Sequence, residues 1–63
     1  MYHFTSDSIS GQTEPVFDGT EWVATIQGWN ARAPTKTMAA LLAFAAWCDA
    51  LPPECADRVW FVG

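Results

Sequence analysis

Eleven consecutive residues, Met38 to Cys48, carry no charge, and the doublet Pro52-Pro53 follows four residues later. A membrane span needs about 20 predominantly apolar residues, so "MAALLAFAAWCDA", interrupted by Asp49, is too short to cross and long enough for a core helix of three to four turns. Neither proline can donate a helical hydrogen bond, which ends the helix near Leu51. Thr35 or Thr37 can cap the orphan N–H groups of its first turn, with Pro34 just outside. At about 100° per residue, the large side chains Trp47, Leu51, Phe44, Cys48, Leu41, Met38 and Leu42 sweep an arc of roughly 220°. Packing on one side of a sheet needs a stripe of only about 100° or somewhat more. We therefore expect this arc to face the core, with something beyond the sheet covering part of it. Opposite lies a ridge of Ala39, Ala43, Ala46 and Ala50, which either lets another backbone approach closely or reflects alanine's helix propensity on a solvent face.

The segments around the helix read as strands. "YHFTSD" alternates Tyr2 and Phe4 against His3 and Thr5, the period of a half-buried strand, and dissolves into a Ser, Gly and Pro-containing loop over "SDSISGQTEP". Asp18-Gly19 stands between two apolar stretches and predicts a type I′ hairpin, with a short strand near 14–18 and a longer one near 20–29. On the longer strand Trp22, Ala24 and Ile26 share one face, and Val23, Thr25, Gln27 and Trp29 the other. "NARAPTKT" breaks that strand and leads into the helix, and "DRVWFV" is a last strand with Val59 and Phe61 alternating against Trp60 and Val62. We expect one α+β domain over residues 1–63: a small antiparallel sheet of three to four strands with one α-helix packed on one face, in β-β-α-β order.

At 63 residues the core is marginal and must use large side chains. Nine aromatics (Tyr2, Phe4, Phe17, Trp22, Trp29, Phe44, Trp47, Trp60 and Phe61) cannot all fit inside so small a body, so some should be exposed, where tryptophan anchors interfaces. Seven acids against Arg32, Lys36 and Arg58 give a net charge of −4, which lacks the basic footprint of a nucleic-acid binder. Asp7, Glu14, Asp18 and Glu21 meet no Lys or Arg before Arg32, so residues 1–31 carry −4 by themselves and would attract a basic partner. The same balance also serves solubility.

Nothing in the chain spells catalysis. One His and two Cys cannot supply four zinc ligands, His3 has no adjacent acid to orient it, and Ser6, Ser8 and Ser10 lack a nucleophile-elbow setting. "GQTEPVFDG" has no lysine and too few glycines for a phosphate loop. We expect no catalytic residue, metal or cofactor. The start at Met1 lacks a basic and an apolar leader region, and with Cys48 and Cys55 read either as two thiols or as a bridge across the prolines, a cytoplasmic protein is expected.

Two resemblances follow. Asp18-Gly19, Trp22-Val23-Ala24 and then Thr37 leading into Met38-Ala39-Ala40-Leu41-Leu42 resemble the D-G-x-x-W-V-A strand and T-x-x-E-A-L helix start of HicB-type antitoxins, over residues 18–45. The chain departs from that pattern in its shortened intervening segment and in lacking the glutamate of the helix start. In format, as a very short acidic α+β chain with surplus aromatics, it is similar to small phage-encoded anti-CRISPR proteins. The second resemblance implies a non-catalytic inhibitor that binds a CRISPR effector subunit or other larger protein with a basic surface. Its place is expected to be the cytoplasm, of the host if phage-encoded, as a monomer or weak homodimer, and the acidic charge and short apolar run lead us to expect no direct nucleic-acid or membrane contact. The first implies neutralisation of a small basic toxin. A third expectation, from the broad helix face, is a self-associating assembly subunit. For partner binding the sequence singles out Asp7, Glu14, Asp18 and Glu21 for charge and Trp22 or Trp29 as aromatic anchor.

Overall fold

The computed structural model describes residues 1–6, 9–51 and 59–62. In chain order the elements are β1 (Tyr2–Thr5), β2 (Ser10–Thr13), β3 (Val16–Phe17), β4 (Trp22–Ile26), β5 (Trp29–Ala33), α1 (Lys36–Ala50) and β6 (Trp60–Val62). They form two three-stranded antiparallel sheets, ordered β2-β1-β6 and β3-β4-β5. Among the described residues the fold is thus α+β with one helix, as expected. The strands before the helix number five, against the three segments read from sequence and the two of the β-β-α-β order, and they divide between two sheets instead of forming one.

Three local corrections account for the difference. First, Ser10–Thr13, expected as loop, pairs with β1 in the register Tyr2↔Thr13 to Thr5↔Ser10. Gly11 lies across from Phe4, and a Cβ there would stand 2.9 Å from Phe4 Cζ, so the buried ring needs a glycine beside it. Second, Glu14 and Pro15 separate β2 from β3; proline has no N–H for a ladder, and the chain passes from pairing with β1 to pairing with β4. Thr13 closes that junction by donating its buried hydroxyl to the Thr25 carbonyl at 2.8 Å. Third, the strand expected near 20–29 ends at Ile26. Gln27 and Gly28 have φ of 50° and 83°, and Ile26 pairs with Trp29. Positive φ at both central residues is what a two-residue type I′ turn requires, so that turn sits here, and the Asp18-Gly19 hairpin instead uses a four-residue loop between Phe17 and Trp22. The chain reversal moves Trp29 onto the same face as Trp22, Ala24 and Ile26, opposite to the expectation.

α1 begins and ends where the sequence indicated. Thr35 is the N-cap, its hydroxyl accepting from the Met38 amide, and Leu51 is the C-cap, donating its amide to the Cys48 carbonyl at 3.1 Å. The size-based expectation holds for Trp47, which is buried, and for Phe44 and Leu51, which pack against the core, and fails for the rest of the arc. Ala39, Ala40, Ala43 and Trp47 are buried, whereas Met38, Leu41 and Leu42 are exposed at 50%, 46% and 46%.

The sheet explains this. The inner face of β3-β4-β5 presents Ala24, Ile26, Ala31 and Ala33, so alanine on the helix meets alanine on the sheet, and the two backbones approach closely without room for leucine. At the other sheet the core is aromatic. Phe4 meets Trp47 edge-on at 5.1 Å, Phe44 meets both Trp47 and Phe61 at 5.8 and 4.9 Å, and Tyr2 stacks on Phe61 at 5.7 Å. The Tyr2 hydroxyl lies 2.9 Å from the Thr37 hydroxyl, tying β1 to the first turn of α1. Aromatic pairs of this geometry add about 0.5–1.5 kcal/mol each beyond their area. On β6, Phe61 is half-buried and Trp60 and Val62 face outward, as the alternation predicted. No helix of the described residues is long and apolar enough to cross a membrane.

Candidate interaction surface

The loop that joins β3 to β4 gathers three of the six residues singled out from sequence, Asp18, Glu21 and Trp22. Phe17 and Trp22 are paired in register across it, with ring centroids 5.5 Å apart. Trp22 leans on the core and is half-buried, while Phe17, at the short edge strand, is 52% exposed. Lys36, on the first turn of α1, places its ammonium 5.7 Å from the centre of the Trp22 ring.

Asp18 organises the loop. Its Oδ1 accepts the amides of Thr20 and Glu21, both at 2.9 Å, and its own amide donates to the Glu21 carbonyl at 3.0 Å. Its Oδ2 accepts from Arg32 Nη1, which also lies 3.5 Å from Glu21 Oε1. The two amide hydrogen bonds, and then the Arg32 guanidinium, hold the Asp18 carboxyl down to about 2. Arg32 is raised in turn by Asp18. Glu14 stands on the other side, with Lys36 Nζ at 2.7 Å and the N-terminal ammonium at 3.2 Å; the Lys36 bond first and the N-terminus second lower its pKa.

Of the six singled-out residues, Asp18, Glu21 and Trp22 thus come together at the β3–β4 loop, and Glu14 is joined to Trp22 through Lys36. Trp29 does not join them. It is 46% exposed at the far end of the β4–β5 hairpin, about 14 Å along the strand from Trp22. Asp7 lies outside the described residues, as does the partner thiol Cys55 of the Cys48 expectation. Each acid of the surface is also paired with a base from β5, α1 or the N-terminus, so the charge excess read from residues 1–31 is partly cancelled in space. Asp18, Glu21 and Arg32 together carry −1, from two acids and one base. Sequence reasoning missed Phe17, Arg32 and Lys36. Phe17 was detectable by counting the loop: the residue before Asp18 falls opposite the residue after Glu21.

The chain matches no protein-family model, no curated protein and no solved structure.

An exposed aromatic edge beside a half-buried indole supplies apolar contact, and the carboxylates, fixed by their ion pairs, supply a polar rim of defined geometry. His3 is exposed on the outer side of β1. Among the described residues no three His, Cys, Asp or Glu side chains come together in a group able to hold a metal ion.

Proposed function

We propose that the chain is a non-catalytic binding protein that engages a larger protein or ribonucleoprotein through the Phe17–Trp22 pair, with Glu14, Asp18 and Glu21 as an acidic rim. The observation that carries this reading is the exposed Phe17 ring packed on Trp22 next to the ordered Asp18 carboxylate. Interfaces of this kind concentrate their energy in one or two aromatics, surrounded by polar groups that fix register. The concrete form that best fits so small an acidic binder is inhibition of a type I CRISPR surveillance complex by blocking target DNA recognition. Steric occlusion suits it better than mimicry of a duplex, because the rim is short and each of its acids is paired.

The test is target-DNA binding by a purified surveillance complex, titrated with the wild-type chain and with Phe17→Ser and Asp18→Lys/Glu21→Lys variants. Stoichiometric loss of DNA binding with the wild type, weakened in both variants, supports the reading. Undiminished DNA binding at saturating wild-type chain refutes the CRISPR form. Capture from the native host that is unchanged by both variants refutes the surface itself. A second reading, neutralisation of a small basic toxin, is favoured by the same acidic rim and is distinguished by rescue of growth on co-expression with the toxin.

A further inference from the structure

The outward side of α1 is a second apolar surface, separate from the Phe17–Trp22 patch. Met38, Leu41, Leu42 and Ala45 are all exposed at positions i, i+3, i+4 and i+7, and Asp49 continues the same line. This is the spacing of a helix–helix seam, about 17 Å long at 1.5 Å per residue. Lys36, the only basic residue of the helix, is turned to the opposite side and bonded to Glu14, so Asp49 is the only charged residue on the seam.

We propose that this seam pairs with the same seam of a second copy of the chain, antiparallel, about a two-fold axis passing between Leu41 and Leu42. In that register Leu41 faces Leu42 at the centre, and Met38 faces the small Ala45 on either side of it. Asp49 arrives beside Pro34 and the Thr35 cap of the other copy. The match is electrostatic as well as steric. The first turn of α1 contains no acid and the last turn no base, and the amides of Lys36 and Thr37 have no intrahelical acceptor. A carboxylate is favourable at that end of a helix and unfavourable at its own C-terminal turn. The antiparallel pair moves each Asp49 alongside the end where it stabilises, whereas a parallel pair would set Asp49 against Asp49. One helix face of this length cannot bury the roughly 1,600 Å² of a standard interface, so the pair dissociates on dilution.

Sedimentation velocity across a wide concentration range tests this, with far-UV circular dichroism as the check on folding. The wild-type sedimentation coefficient should rise from monomer to dimer and stop there. Leu41→Glu should weaken association by about tenfold or more, because it places a charge at the centre of the seam twice over. Leu42→Gln, a milder change at an exposed position, provides the same readout should the glutamate variant fail to fold. Asp49→Lys should weaken association by about three- to thirty-fold, from loss of two charge–terminus contacts, while leaving the monomer helix intact. A wild type that stays monomeric throughout overturns the proposal, as does assembly beyond a dimer. A dimer unchanged by Leu42→Gln and Asp49→Lys overturns it too, since association would then use another surface.

Discussion

Substituting Ala43 by leucine, against substituting Leu42 by alanine, separates the two ways α1 could be seated. Ala43 is fully buried in a cluster with Phe4, Ala24, Ile26, Ala33, Ala39 and Trp47. Three added carbons there have to displace either the helix or the alanine face of β4 and β5, an overpacking cost of about 1–3 kcal/mol. In a domain of this size each kcal/mol moves Tm by about 4–8 °C, so Ala43→Leu should lower it by about 4 °C at the least. Leu42 is 46% exposed. Burying a whole leucine contributes about 1.5–3 kcal/mol, so the buried half contributes about 1 kcal/mol, reduced further by alanine's better helix propensity. Leu42→Ala should therefore cost under about 1 kcal/mol. Thermal and urea unfolding followed by circular dichroism reads both variants, in dilute solution where self-association adds nothing to stability. A size-based wheel predicts the opposite ranking. If Leu42→Ala costs about 2–5 kcal/mol, as a core cavity would, and Ala43→Leu costs nothing, the leucine face is the buried one and the packing described above is wrong.

Three further outcomes follow from particular contacts. Gly11→Ala should destabilise by about 1–3 kcal/mol, seen as a lower urea midpoint, because its Cβ would stand 2.9 Å from the buried Phe4 ring. Gln27→Asn should stabilise by about 0.5–1 kcal/mol, measured by thermal unfolding, since Gln27 is held at φ 50° and asparagine tolerates that region far better. Asp18 is held at about 2 against an ordinary 3.8, so the unfolded chain binds its proton first as pH falls. Its stabilisation is complete above about pH 4 and is lost as pH drops through about 2. Asp18→Asn should thus flatten the acid limb of stability against pH between those values, leaving the smaller contribution of Glu14, which has the same sign.

What was legible in the sequence was whatever depends on local chemistry. The helix bounds came from a threonine cap and a proline stop, and β1 and β6 from strict alternation about Phe4 and Phe61. β2 was not legible because Ser10, Gly11 and Gln12 are weak strand formers, and their pairing is imposed by Phe4 from across the sheet. β5 was hidden because Gln27-Gly28 lacks the Asn or Asp that marks a type I′ turn, so one strand was read where a hairpin stands. The helix face was right at Trp47, Phe44 and Leu51 and wrong at Met38, Leu41 and Leu42, which give way to Ala39 and Ala43, because side-chain size measures burial only when the opposing surface has room. Ala24, Ala31 and Ala33 leave none, and that fact resides in β4 and β5 rather than in the helix. At the interaction surface, the acids and Trp22 were evident from composition and spacing, whereas their pairing with Arg32 and Lys36 depended on the unseen hairpin and on the helix start.

The seating of α1 decides both which side chains form the core and which surface is left for a partner. Methyl relaxation in the presence of a soluble paramagnetic agent, on a dilute sample, reads that seating directly. The Met38, Leu41 and Leu42 methyls should broaden strongly while those of Ala39, Ala40 and Ala43 stay sharp. Broadened Ala39 and Ala43 methyls with protected Leu41 and Leu42 methyls would contradict the account.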